Sequence, residues 1–103
     1  MREGYGVSYT ILGIVEYKGN WKVDKKNGNG TLYRGDGSKE YNGPFLYNMK
    51  SGWGTGYDEA GKKEYRGEWA HDKKNGIGWL YDIEGKKMFR GEYKDDELLK
   101  KLD

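Results

Sequence analysis

The chain of 103 residues has no cysteine, one proline and one histidine. Without thiols it can form no disulfide framework, no thiolate nucleophile and no zinc–thiolate centre. His71 alone cannot supply a multi-histidine metal site, and no metal or cofactor is expected. Core-forming apolar residues are scarce: Leu, Ile, Val and Phe number 16, a poverty that by itself reads as disorder. Long apolar runs are missing too. The longest near the N-terminus, Ile11 to Val15, is interrupted by Gly13 and is too short for a membrane span or a signal-peptide core. Neither sign of charge dominates; the net charge of +2 makes no case for a nucleic-acid partner. A soluble, cytoplasmic protein is the expectation.

What the chain does have is rings and glycines. Aromatics make up 16% of it and glycines number 18. One buried ring removes about 150–250 Å² from water, so a core of aromatics against glycines can replace the missing aliphatics.

These residues recur with a step of 24. Tyr17-Lys18-Gly19 returns as Tyr41-Asn42-Gly43, Tyr65-Arg66-Gly67 and Phe89-Arg90-Gly91. An aromatic follows two residues after each glycine: Trp21, Phe45, Trp69, Tyr93. Gly-x-Gly pairs fall at Gly4/Gly6, Gly28/Gly30, Gly52/Gly54 and Gly76/Gly78, and a turn glycine at Gly13, Gly37, Gly61 and Gly85. A fixed internal period of this length signals a repeat architecture.

Each unit reads as a β-hairpin. Its first strand runs from about Glu16 to Val23 with period-two alternation, its tip is 24–27, and its second strand runs from about Gly28 to Arg34. A four-residue tip sets Val23 opposite Gly28, Trp21 opposite Gly30 and Gly19 opposite Leu32. Rings then lie over neighbouring glycines, in one row of Tyr17, Tyr41, Tyr65 and Phe89 and a second of Trp21, Phe45, Trp69 and Tyr93. The fold class predicted is all-β: an elongated, single-layer antiparallel sheet, or solenoid, in one domain over 1–103. It comprises a half repeat at 4–16, repeats at 17–40, 41–64 and 65–88, and a partial repeat at 89–94. Over 95–102, acidic residues followed by Lys, with Leu98, Leu99 and Leu102 on one face, predict a short capping helix.

The pattern resembles the MORN (membrane occupation and recognition nexus) repeat, Tyr-x-Gly-x-Trp, then Gly-x-Gly, then a later glycine. Tyr17, Gly19, Trp21, Gly28, Gly30 and Gly37 carry it, as do Tyr65, Gly67, Trp69, Gly76, Gly78 and Gly85. Departures are the 24-residue unit, Asp24, Asn48 and Asp72 where the family has a tip glycine, and Gly56 where Leu32 and Leu80 stand. The resemblance implies a binding module for proteins, in some cases for membranes or acidic phospholipids, and no catalytic domain is expected.

No catalytic constellation emerges. His71 has no partner at a recognisable spacing, and Ser8, Ser38 and Ser51 lie in no nucleophile motif. The Gly-x-Gly pairs lead into strands, whereas a phosphate loop leads into a helix. Asp36, Asp58, Glu59, Asp82 and Glu84 read as solvated turn carboxylates. Two surfaces remain. Residues alternating with the glycines point away from the ring rows, and Tyr9, Tyr33, Trp53, Tyr57, Trp79 and Tyr81 would anchor a protein or peptide. The alternative is that the sheet curls to make these the core and exposes the other face. Along the tips, Lys25, Lys26, Lys50, Lys73 and Lys74 would dock on anionic lipid, placing the protein at a membrane periphery, or else only guard an edge. A small bacterial toxin-neutralising protein also fits the composition, and open sheet edges allow self-association.

Overall fold

In the computed structural model, which describes residues 2–102, the chain is one open antiparallel sheet measuring 44 × 25 × 17 Å. The described residues form ten strands: β1 (Gly4–Tyr9), β2 (Val15–Lys22), β3 (Lys25–Tyr33), β4 (Lys39–Leu46), β5 (Met49–Lys50), β6 (Gly52–Tyr57), β7 (Lys63–Ala70), β8 (Lys73–Tyr81), β9 (Lys87–Lys94) and β10 (Glu97–Lys101). They pair in chain order, with the short β5 set beside β4.

Two kinds of turn join them, one along each long edge. At the tip edge the turns have two residues, both at positive φ: Val23-Asp24, Tyr47-Asn48, His71-Asp72 and Asp95-Asp96. Paired positive φ is the two-residue hairpin turn whose twist matches the strands, and Asn and Asp tolerate it. The opposite edge uses longer turns that close on Gly13, Gly37, Gly61 and Gly85, at φ between 82° and 91°. There Asp58 Oδ1 accepts the backbone N–H groups of Ala60 and Lys62, and Asp82 Oδ1 those of Glu84 and Lys86. These bonds hold the Asp82 carboxyl below the usual carboxylate range, the Lys86 N–H acting most strongly.

The tips correct the expected register. Lys22 opposes Lys25, Trp21 opposes Lys26, Gly19 opposes Gly30 and Tyr17 opposes Leu32. The turn is 23–24, and the surplus residues of β3 are absorbed by a bulge between Gly19 and Trp21. Stitching between consecutive tips explains the shift. Lys26 N–H donates to Asn48 Oδ1 (2.8 Å), and Asn48 N–H donates to the Lys26 carbonyl (2.9 Å). The same reciprocal pair joins Lys50 to Asp72, Lys74 to Asp96 and Arg2 to Asp24.

The core lies on one face only. Tyr17, Tyr41 and Tyr65 are fully buried, with Phe45, Trp69 and Tyr93 nearly so. The two expected rows merge into one edge-to-face chain, Trp21–Tyr17–Phe45–Tyr41–Trp69–Tyr65–Tyr93, with centroids 5.1–5.3 Å apart. Each such pair contributes about 0.5–1.5 kcal/mol beyond its buried area. The tyrosines rest most closely on glycine: a Cβ added at Gly54 would stand 2.3 Å from Tyr41 Oη, against 3.1 Å from the Trp69 ring at Gly56. Each fully buried hydroxyl donates to a backbone carbonyl, Tyr17 to Asn20, Tyr41 to Pro44 and Tyr65 to Glu68. Phe89 stands outside the chain of rings, half-buried.

The expected helix at 95–102 is instead the turn Asp95-Asp96 and strand β10. Asp96 is the fourth member of the series Asp24, Asn48, Asp72, and its bond to Lys74 N–H commits the segment to a hairpin. The capping role survives in another form, because Leu98 lies over Gly91 at the end of the ring face.

Candidate functional site

The ring face is closed by its own side chains. Lys26 lies over Tyr17, Lys50 over Tyr41 and Trp69, and Lys74 over Tyr65 and Tyr93, with Nζ 5.1–5.6 Å from the centroids. Arg2 takes the same place over Trp21. Lys50 also pairs with Glu40 (3.4 Å) and Lys74 with Glu64 (3.6 Å). A depression of about 400 Å³ lies here over Gly56 and Trp69, rimmed by both signs of charge: Arg34, Lys50 and Lys74 against Glu40, Asp72 and Asp96. Trp69 and Tyr57 line it, but Lys50 and Lys74 already have rings and carboxylates as partners, and Arg34 donates to the Tyr57 carbonyl.

This arrangement divides the five tip lysines. Lys26, Lys50 and Lys74 fold onto the ring face, partly buried. Lys25 and Lys73 alternate with them, point to the other face and are exposed. The lipid-docking set is therefore not one continuous edge.

The second face carries the aromatic residues singled out from the sequence. Trp53 is 48% exposed and Tyr9 61%, while Tyr33, Tyr57, Trp79 and Tyr81 are half-buried. No second layer of the described chain covers them. The alternative in which these residues form the core is overturned, because the fully buried rings all lie on the opposite face. Register sets their neighbours. Trp53 opposes Glu68, Thr55 opposes Arg66, and Trp79 lies between Arg66 and Arg90. Lys87 Nζ stands 4.8 Å from the Trp79 ring centroid.

One feature of this face was missed from the sequence. A recess of about 290 Å³ at the tip edge is lined by Leu46, Tyr47, Met49, Ser51, Ala70 and His71. The signal was the second tip, Leu46-Tyr47-Asn48-Met49, apolar where the first reads Lys22-Val23-Asp24-Lys25. His71 serves here as a turn residue at φ 52°. Among the described residues no three His, Asp or Glu side chains are grouped to hold a metal ion.

The family model of the MORN repeat matches residues 17–39 and 65–86. These are the units that keep the aromatic as Trp21 and Trp69. The intervening unit, with Phe45 and Gly56, forms the same hairpin. No curated protein is significantly similar to the chain.

Proposed function

We propose that this chain, which carries MORN repeats and so belongs among modules that bind and in general do not catalyse, holds a protein or peptide segment against its second, aromatic face. The observation that carries the reading is the one-sided core. Three tyrosines are fully buried on the ring face, while Trp53 stays 48% exposed on the other. A sheet whose core is complete does not need a Trp at 53, a Trp at 79 and tyrosines at 57 and 81 on its outer side for stability. Large, rigid aromatics with one polar atom are the side chains that concentrate binding energy. The ring face serves this role less well, since its cations lie on the rings that a ligand would have to reach.

Selection of a random 12-residue peptide library on the immobilised chain tests this. Enriched peptides are expected to bind the parent chain and to lose at least about tenfold in affinity with Trp79→Ala or Trp53→Ala, at an unchanged melting temperature. Peptides insensitive to both substitutions but displaced by changes at Lys50 or Trp69 would move the site to the ring face and refute the reading. A melting temperature that collapses with Trp79→Ala would place Trp79 in the core and refute it equally.

A further inference from the structure

The geometry points to an acidic partner segment, bound along a basic and aromatic band that crosses the strands near the longer-turn edge; this inference rests on the aromatic-face reading above. Tyr33 opposes Lys39, Tyr57 opposes Lys63 and Tyr81 opposes Lys87. The lysines also reach the next tyrosine along, Lys39 Nζ lying 5.9 Å from the Tyr57 centroid and Lys63 Nζ 5.9 Å from that of Tyr81. The band thus alternates Tyr and Lys from β3 to β9. Beside it runs a second row, Thr55, Arg66, Trp79 and Arg90, each residue opposite the next. These ten positions hold five cations and no carboxylate, in a chain with 17 acidic residues against 19 basic.

The bulges cause this segregation. The register shifts between Leu32 and Tyr33 and between Gly56 and Tyr57 make Glu40 and Glu64 the surplus residues of β4 and β7. Both carboxylates turn to the ring face, where they pair with Lys50 and Lys74. Lys39, Lys63 and Lys87 remain on the other side and make no ion pair among the described residues. Contact with a ring holds an ammonium in place without neutralising it. A carboxylate from outside can therefore meet a positioned cation while its apolar neighbours pack on Tyr57, Trp79 and Tyr81.

Spacing narrows the ligand. Strands lie about 4.8 Å apart, so the lysines recur about every 9.6 Å across the sheet. A polyproline II segment advances about 3.1 Å per residue, or about 9.3 Å per turn of three. A carboxylate at every third residue of such a segment would meet successive lysines.

The probe is a fluorescein-labelled peptide of four Glu-Pro-Leu triplets, compared with its Gln-Pro-Leu isostere by anisotropy. The Glu peptide is expected to bind, to weaken as salt rises past about 0.15 M, and to lose about tenfold in affinity on K39Q/K63Q/K87Q. Removing as much charge elsewhere, with K25Q/K62Q/K73Q, should leave its affinity unchanged. Should the triple variant fail to fold, Lys63→Gln alone carries the comparison. Equal binding of the Gln peptide overturns the acidic assignment, and the aromatic-face reading then stands if Trp79→Ala still abolishes that binding. Unchanged affinity in the triple variant overturns it as well. So does an inert Glu peptide beside band-dependent binding of phosphatidylserine vesicles or of oligothymidylate, which would make the band a lipid or nucleic-acid surface.

Discussion

At the residue scale, the departures from the family pattern are chemically purposeful. Asp24, Asn48, Asp72 and Asp96 each occupy a positive-φ turn position that glycine would fill without strain. Each also uses its side-chain oxygen to accept the backbone N–H of a residue 22 positions earlier, which glycine cannot do. Substitution at Asp72 separates the two effects. Asp72→Asn should be near neutral, since Asn48 makes the same bonds in the neighbouring unit. Asp72→Gly loses the bond to Lys50 N–H but relaxes the turn, at about 1 kcal/mol. Asp72→Ala loses the bond and keeps the strain, at about 2 kcal/mol. Thermal melts should rank them in that order, at about 4–8 °C per kcal/mol for a domain of this size. A glycine variant as stable as the parent would remove the stitching from the account.

At the element scale, hairpins alternate in how they fill the ring face. Trp69 lies over Gly56, where an added Cβ would meet Trp69 Cζ2 at 3.1 Å, and Trp21 lies on the strand that carries Ser8 in the equivalent place. The smaller rings Phe45 and Tyr93 accompany Leu32 and Leu80. Large ring with small neighbour, or smaller ring with leucine: the pairing keeps the volume nearly constant. Gly56→Leu should therefore destabilise by about 1–3 kcal/mol through overpacking. The double variant Gly56→Leu with Trp69→Phe should recover part of that loss, with a coupling of about 1–2 kcal/mol in a denaturant cycle. Strict additivity would show that the two positions do not share space.

At the scale of the whole molecule, the core is a line of rings whose hydroxyls are shut away from water. Burial pushes the Tyr17 hydroxyl up to about 12, and raises Tyr41, Tyr65 and Tyr93 for the same first reason. In the unfolded chain these groups ionise near pH 10. Below that value both states keep the protons and stability is fully present. Above it the unfolded chain releases protons that the folded chain retains, so stability falls from about pH 10 through 12. Loss of structure followed by circular dichroism should begin in that window. Tyr41→Phe should make the decline shallower, and a decline unchanged by that substitution would contradict the buried ladder.

The period, the strand content and the antiparallel single sheet were legible in the sequence, because a 24-residue repeat places the same residue types at the same points of each hairpin; which face would be buried was not, and Phe89, expected in the ring row, stands outside it. Local chemistry left three matters open. The true tip, at 23–24 in place of 24–27, depends on a hydrogen bond to the preceding repeat, which no window of one repeat contains. The fate of residues 95–102 depends on the same bond, and it outweighed a plausible helical pattern. The division of the lysines between two faces depends on bulges that send Glu40 and Glu64 one way and Lys39 and Lys63 the other. Residue type and spacing determined the repeat, its hairpins and the single sheet. Contacts between repeats decided register, and register decided which charges share a face.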